Sequence, residues 1–176
     1  MALSKTQEQF VLHWGEAGGH WGMSKSVAQV HALLLLSDEP VHADYLVETL
    51  GIARSNVSTS LKELQAWGLI ERVSKLGDRR DHFTAIKDSW EMMSRIMAER
   101  KKRAFDPTLE MLRKLADEST SGKKGNSNGA EVLQDLLGLY ETLDEWQQSL
   151  GDLSEKSVTK LLNKASKKAA KQEAEV

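Results

Sequence analysis

The sequence predicts a mainly α-helical chain with one small β-wing, and three observations lead there. Apolar residues recur at helical spacing in successive stretches between residues 4 and 149. A pattern fit for strands occurs across residues 69–86, on either side of a Gly-Asp turn. Glycine, proline and aspartate fall between these stretches, where helices stop and start.

Residues 4–17 form the first expected helix, with Phe10, Val11 and Trp14 on its apolar side and the glycines of GEAGGHWG ending it. SKSVAQVHALLLLS, residues 24–37, is the second, capped by Ser24 and carrying Val27, Val30 and Leu34 on a broad buried face. Pro40 keeps Glu39 out of helical geometry and stops it. VHADYLVETLG, residues 41–51, reads as a short helix closed by Gly51, with Leu46, Val47 and Leu50 inward. In IARSNVSTSLKELQAWG, residues 52–68, Val57, Leu61 and Leu64 share one face. The opposite face carries Ser55, Thr59, Lys62 and Ala66, flanked by Asn56 and Ser58. LIERVSK (69–75) and HFTAI (82–86) are expected strands, and LGDRRD is the turn between them, with Arg79 and Arg80 at its tip. Helical pattern resumes from Lys87 to about Glu118, with a kink or fresh start at Asp106-Pro107. STSGKKGNSNG (119–129) has the composition of a loop. Residues 130–149 are helical, with Val132, Leu133, Leu136, Leu137, Tyr140, Leu143 and Trp146 as a wide apolar face, and residues 154–170 form a weaker last helix.

The totals narrow the class. The chain has 176 residues, 40% hydrophobic and 28% charged, an ordinary globular balance. It lacks cysteine, which excludes disulfides and thiolate metal sites. No apolar run approaches membrane-spanning length and no signal-peptide core stands at the start, so a cytoplasmic protein without membrane contact is expected. The net charge is −2, but it is uneven: −4 over residues 1–53, +5 over 54–105 and −3 over 106–176. Charge interactions are screened beyond roughly 8–10 Å, so local excess matters more than the total for an anionic partner.

The positive segment coincides with the order helix, helix, short helix, tight turn, helix, strand, turn, strand, which is a winged helix-turn-helix. The DNA major groove, about 12 Å wide, admits one helix. That helix must be anchored on one side and small or polar on the other, as residues 54–66 are. Lys62 can reach a phosphate or guanine edge, and Asn56 can pair with adenine. Arginine at a wing suits the negative potential of a narrow minor groove. Amphipathic helices with Ser and Thr are common and charged turns are usually just solvated; it is the order of elements that gives these residues a shared meaning.

Residues 27–90 resemble the MarR-like winged-helix regulators, and in particular the GbsR branch, named for regulation of glycine betaine synthesis. The matching stretches are LLLLSDEP (33–40), LGIARSNVSTSLKELQAWGLI (50–70) and GDRRDHFTAIKDSW (77–90); FDPTLEMLRK (105–114) is also similar. The resemblance implies a homodimeric transcriptional regulator, expected to repress, that binds a pseudo-palindromic site on double-stranded DNA. It assigns DNA contact to Arg54, Ser55, Asn56, Ser58, Thr59, Lys62, Lys75, Arg79 and Arg80, with Asp78 fixing the wing turn. It implies an N-terminal helix in residues 1–23 and a helical region in 88–170 that together build the dimer. The DNA-binding domain is then 24–87, and residues 171–176 are a frayed tail. Two departures stand out: Ala53 occupies the position of a Ser or Asp cap, and the wing turn is short.

Other chemistry has little support. The five histidines show no metal-binding spacing, and GEAGGHWG lacks the Lys-Ser/Thr of a phosphate loop, so no enzyme activity and no cofactor are expected. Of the five tryptophans, Trp21, Trp67 and Trp90 are the candidates for a small-molecule effector pocket, although helix-face tryptophans usually serve packing. The alternative function is a winged helix that binds protein within a larger assembly.

Overall fold

The computed structural model describes residues 3–121, 127–151, 156–160 and 163–164. It comprises two compact units that divide at Arg103/Ala104.

In the first unit, α1 (Lys5–Ala17) opens with a capping box in which Ser4 and Gln7 satisfy each other's backbone N–H groups. A 3-10 turn (Gly18–Trp21) follows. Helix α2 (Lys25–Leu36) is capped by Ser24 and buries Val27, Val30, Leu33 and Leu34. The Lys87 ammonium sits at its C-terminal end, donating to Leu34, Leu35 and Ser37 oxygens at 3.3, 2.6 and 2.7 Å, and Leu34 O also accepts from Ser37 N.

The segment expected to be one helix from residue 41 is divided. Val41–His42 form strand β1, and α3 (Ala43–Leu50) begins after them. The His42 side chain is the cap, its Nδ1 accepting from Tyr45 N at 3.2 Å. Gly51 closes α3 as expected, its N–H donating to Val47 O. Helix α4 (Arg54–Ala66) starts behind Ala53, which offers no capping side chain. It ends where Gly68 takes a φ of +67°, allowing Leu69 N to donate to Leu64 O.

Strand β2 (Ile70–Lys75) and β3 (Asp78–Ala85) pair antiparallel, and β1 joins the other edge of β3, giving the order β1-β3-β2. The hairpin turn is Leu76–Gly77, with Gly77 at a φ of +83°. Arg79 and Arg80 therefore do not sit at the tip, contrary to the sequence expectation; they lie in the first part of β3. Pairing runs from Val73↔His82 to Lys75↔Asp78, so β3 carries extra residues there, a bulge holding both arginines.

Helix α5 (Ser89–Arg100), capped by Asp88, buries Met92 and Ile96 in the same core as α2 and α4. Both therefore belong to the first unit, which ends at Arg103. Arg95 ties α5 to the end of α4 by donating to Gly68 O. A π-helical turn (Lys101–Phe105) precedes α6 (Asp106–Ser121). Pro107 has no N–H to continue a regular ladder, which accounts for the irregular turn just before it.

In the second unit, α6 buries Leu109, Leu112 and Ala116 and packs with α7 (Ser127–Gly151). Phe105 stacks on Tyr140, and Arg113 pairs with Glu141 at 3.1 Å. Residues 119–121 and 127–129, expected as loop, are helical. Pairing of the two helices outweighs the loop-favouring composition there. Residues 122–126 of that stretch, most of the expected last helix and the tail 171–176 lie outside the described residues; 156–160 and 163–164 are helical. Among the described residues no helix is long and apolar enough to cross a membrane.

Candidate nucleic-acid interface

Helix α4 separates its two faces cleanly. Val57, Leu61 and Leu64 are buried, together with Ser60, while Arg54, Ser55, Asn56, Ser58, Thr59, Lys62, Gln65 and Ala66 are exposed. At 1.5 Å per residue the exposed face runs for roughly 20 Å. Between Arg54 and Lys62 it carries only Ser55, Asn56, Ser58 and Thr59, so the backbone there can approach another surface closely.

The wing supplies the second element. Lys75 and Arg79 are exposed beside the turn, and Arg79 has no hydrogen-bond or ion-pair partner among the described residues. Arg80 is held. Its Nε donates to both oxygens of Asp78, at 2.9 and 3.1 Å, and its Nη2 to Asp78 Oδ2 at 2.5 Å. Its backbone N–H donates to Asp78 Oδ1 at 3.0 Å. The Arg80 side-chain and backbone hydrogen bonds hold the Asp78 carboxyl well below the usual carboxylate range, and Asp78 in turn raises Arg80. Asp78 is thus placed to fix the start of β3.

Two histidines tie the wing to α3. The rings of His42 and His82 meet edge to face at 5.7 Å. His42 Nε2 lies 3.1 Å from Arg80 Nη1, and His82 Nδ1 lies 3.0 Å from Arg80 O. His82 Nε2 is 3.5 Å from Asp78 Oδ2.

Between α4 and the sheet lies a cleft of about 360 Å³. Leu61 and Phe83 line its apolar part; Arg54, Lys62, Arg72 and Arg80 line it with positive charge, and Asp44 and Asp81 with negative charge. Asp44 pairs with Arg54, and Asp81 Oδ1 accepts from Arg72 Nε at 3.0 Å. Of the residues singled out from sequence, the cleft brings together Arg54, Ser58, Lys62 and Arg80. Ser55, Asn56, Thr59, Lys75 and Arg79 are exposed outside its lining. Sequence reasoning missed Asp44, Gln65, Arg72 and Asp81. Gln65 follows Lys62 on the exposed face by helical spacing and was legible. Arg72 and Asp81 meet only because β2 and β3 pair.

The tryptophans named for an effector pocket have separate neighbours. Trp21 is half-buried against Trp14, with ring centroids 4.6 Å apart. Trp67 is buried in the core, and the Arg103 guanidinium sits 4.5 Å above its ring. Trp90 is exposed on α5. No ring contact joins the three among the described residues. No group of three or more His, Cys, Asp or Glu fit to hold a metal occurs among them either.

Residues 21–81 match the model of the MarR family. A solved structure described as a transcriptional regulator is similar over 83% of this chain and 95% of its own, at 17% identity and a TM-score of 0.63. A MarR-family regulator from Rhodococcus sp. RHA1 aligns over 61% of this chain and 82% of its own, at 19% identity and a TM-score of 0.39. A Staphylococcus aureus MepR mutant bound to an oligodeoxyribonucleotide aligns over 78% and 90%, at 15% identity and a TM-score of 0.39. No curated protein matches the chain. The chain therefore has the MarR-type winged-helix fold, and its residues 21–81 carry the MarR-family pattern.

Proposed function

We propose that this chain is a sequence-specific, double-stranded DNA-binding transcriptional regulator of the MarR type, in its GbsR branch, acting in the cytoplasm as a repressor. The observation that carries this reading is the exposed face of α4. Six small or cationic side chains, Arg54, Ser55, Asn56, Ser58, Thr59 and Lys62, stand outward from a helix anchored by Val57, Leu61 and Leu64. In this reading α4 enters the major groove, and Lys75 and Arg79 reach the adjoining backbone or minor groove. Asp78 and Arg80 hold the wing.

A homodimer is part of the proposal. Helix α7 has two apolar stripes: Leu133, Leu137 and Tyr140 are half-buried, whereas Val132, Leu136, Leu139, Leu143 and Trp146 are exposed. The exposed set alternates steps of four and three residues, the spacing of a helix seam that packs on another helix. A two-fold partner is the commonest way to cover such a face. Two α4 helices about one DNA turn apart, roughly 34 Å, then read a pseudo-palindrome. Leu136→Glu with Leu143→Glu is expected to convert a dimer to a monomer in sedimentation at micromolar concentration. A wild-type monomer under those conditions would remove the dimer from the reading. A small-molecule effector belongs to the proposal as well, with Trp21, Trp67 and Trp90 as places to look for it.

The test is binding of the purified protein to duplex DNA from upstream of its own gene, titrated against salt and unrelated DNA. Tight binding whose logarithm falls linearly with log salt supports the reading, with a slope of about −0.9 per neutralised phosphate. Lys62→Ala is expected to weaken binding and to flatten that slope by about 0.9, one lost phosphate contact. No binding to any duplex at low salt would favour a winged helix that contacts protein instead.

A further inference from the structure

The cations of this interface are not all available. Three arginines on or beside the cleft each have a carboxylate partner: Arg54 with Asp44, Arg72 with Asp81, and Arg80 with Asp78. The Asp78 pair has a structural role, since its carboxylate also binds a backbone N–H at the start of β3. The other two do not share that role. They are exposed, with side chains of Arg54 and Asp44 at 71% and 41% and of Arg72 and Asp81 at 59% and 49%. Exposed pairs of this kind contribute little to stability. Stability is thus a weak reason for placing two carboxylates inside a cleft where cations gather.

We propose that Asp44 and Asp81 are specificity determinants of the DNA interface, occupying Arg54 and Arg72 so that phosphate contact alone is disfavoured. The inference rests on the DNA-binding reading above. Non-specific binding consists of phosphate neutralisation and little else. A carboxylate already on the guanidinium must be displaced, or must tolerate a phosphate beside it, in every register along the duplex. A specific site offsets that cost through base-edge contacts, which a random site lacks. Each pair also orients its guanidinium. The Asp44 contact uses Arg54 Nη1, and the Asp81 contact uses Arg72 Nε, so both arginines keep further N–H donors pointing elsewhere. Asp44 reaches the cleft from α3 and Asp81 from β3, so two independent elements carry the same device.

The experiment uses the full chain, a duplex recovered by its own selection from a random-sequence pool, and a scrambled duplex of equal length. Asp44→Asn and Asp81→Asn keep side-chain size and remove the charge. Each is expected to tighten binding to the scrambled duplex several-fold and to steepen its salt slope by up to about 0.9. Binding to the selected duplex should change less, so the ratio of the two affinities falls. Glu39→Gln, an exposed charge between α2 and β1, removes one negative charge outside the cleft and should leave the ratio where it was. Thermal melting shows that each variant is folded. If the Asp variants leave the ratio unchanged, or move both duplexes together as Glu39→Gln does, the inference is overturned while the DNA-binding reading stands. If the wild-type chain selects no sequence and binds neither duplex at low salt, the DNA-binding reading fails and this inference with it.

Discussion

Replacing Arg79 with alanine is expected to weaken binding to duplex DNA roughly tenfold and to flatten its salt dependence by about 0.9 in log–log slope. The melting temperature should stay the same, because Arg79 is exposed and has no partner among the described residues. Arg80→Ala should behave differently. It removes three side-chain hydrogen bonds to Asp78 and the contact with His42, and it leaves the Asp78 carboxylate without its cation beside the DNA. DNA binding and melting temperature should therefore fall together. Lysine at position 79 should restore the slope, since one positive charge suffices for a phosphate, whereas lysine at position 80 cannot reproduce the forked contact with Asp78. Parallel salt titrations and melting curves of the four variants check this. A flattened slope with unchanged melting in Arg80→Ala, and no effect of Arg79→Ala, would exchange the two roles.

Acid should destabilise the fold through His31. This side chain is buried on α2 among the core residues, and its Nδ1 accepts from Trp14 Nε1 at 3.4 Å. Its Nε2 has no partner among the described residues, so a protonated ring would bring an uncompensated charge into the core. Burial pushes its pKa down from 6.5 to about 4. Between those values the unfolded chain takes up a proton that the folded chain refuses. The stability tied to neutral His31 is complete above pH 6.5 and is lost as pH falls toward 4. The loss is on the order of 3 kcal/mol over that window. Urea unfolding of wild type and His31→Leu from pH 4 to pH 7 measures it. Carboxylates titrate in both proteins, so the difference between the two curves isolates His31. The wild-type curve should fall more steeply below pH 6.5; parallel curves would show that His31 is not the cause.

Several features of the interface were legible because they are local. The anchoring of α4 by Val57, Leu61 and Leu64 follows from a period of 3.6, and the same period turns Ser55, Thr59 and Lys62 outward. Ser24 and Gly51 mark helix ends through their own backbone chemistry. The helical order that precedes the hairpin was visible for the same reason.

Other features depend on contacts that no local pattern encodes. Strand β1 is two residues long and exists because Val41 and His42 find Phe83 and His82, about forty positions away. The wing turn was expected around Asp78 to Arg80, where turn-forming composition is dense. Pairing of Lys75 with Asp78 instead draws Asp78 into β3, leaves Leu76–Gly77 as the turn, and puts both arginines in a bulge. By itself, then, the sequence determined which helix has a buried and an exposed face, and that the exposed one is small, polar and cationic. Only the tertiary structure decided which cations on that side are free. An ion pair such as Arg54 with Asp44 or Arg72 with Asp81 joins residues about ten apart on different elements, and its formation depends on how those elements pack. Helical and strand periods repeat along the chain and can be read from it; distances across the fold exist only once the chain has folded.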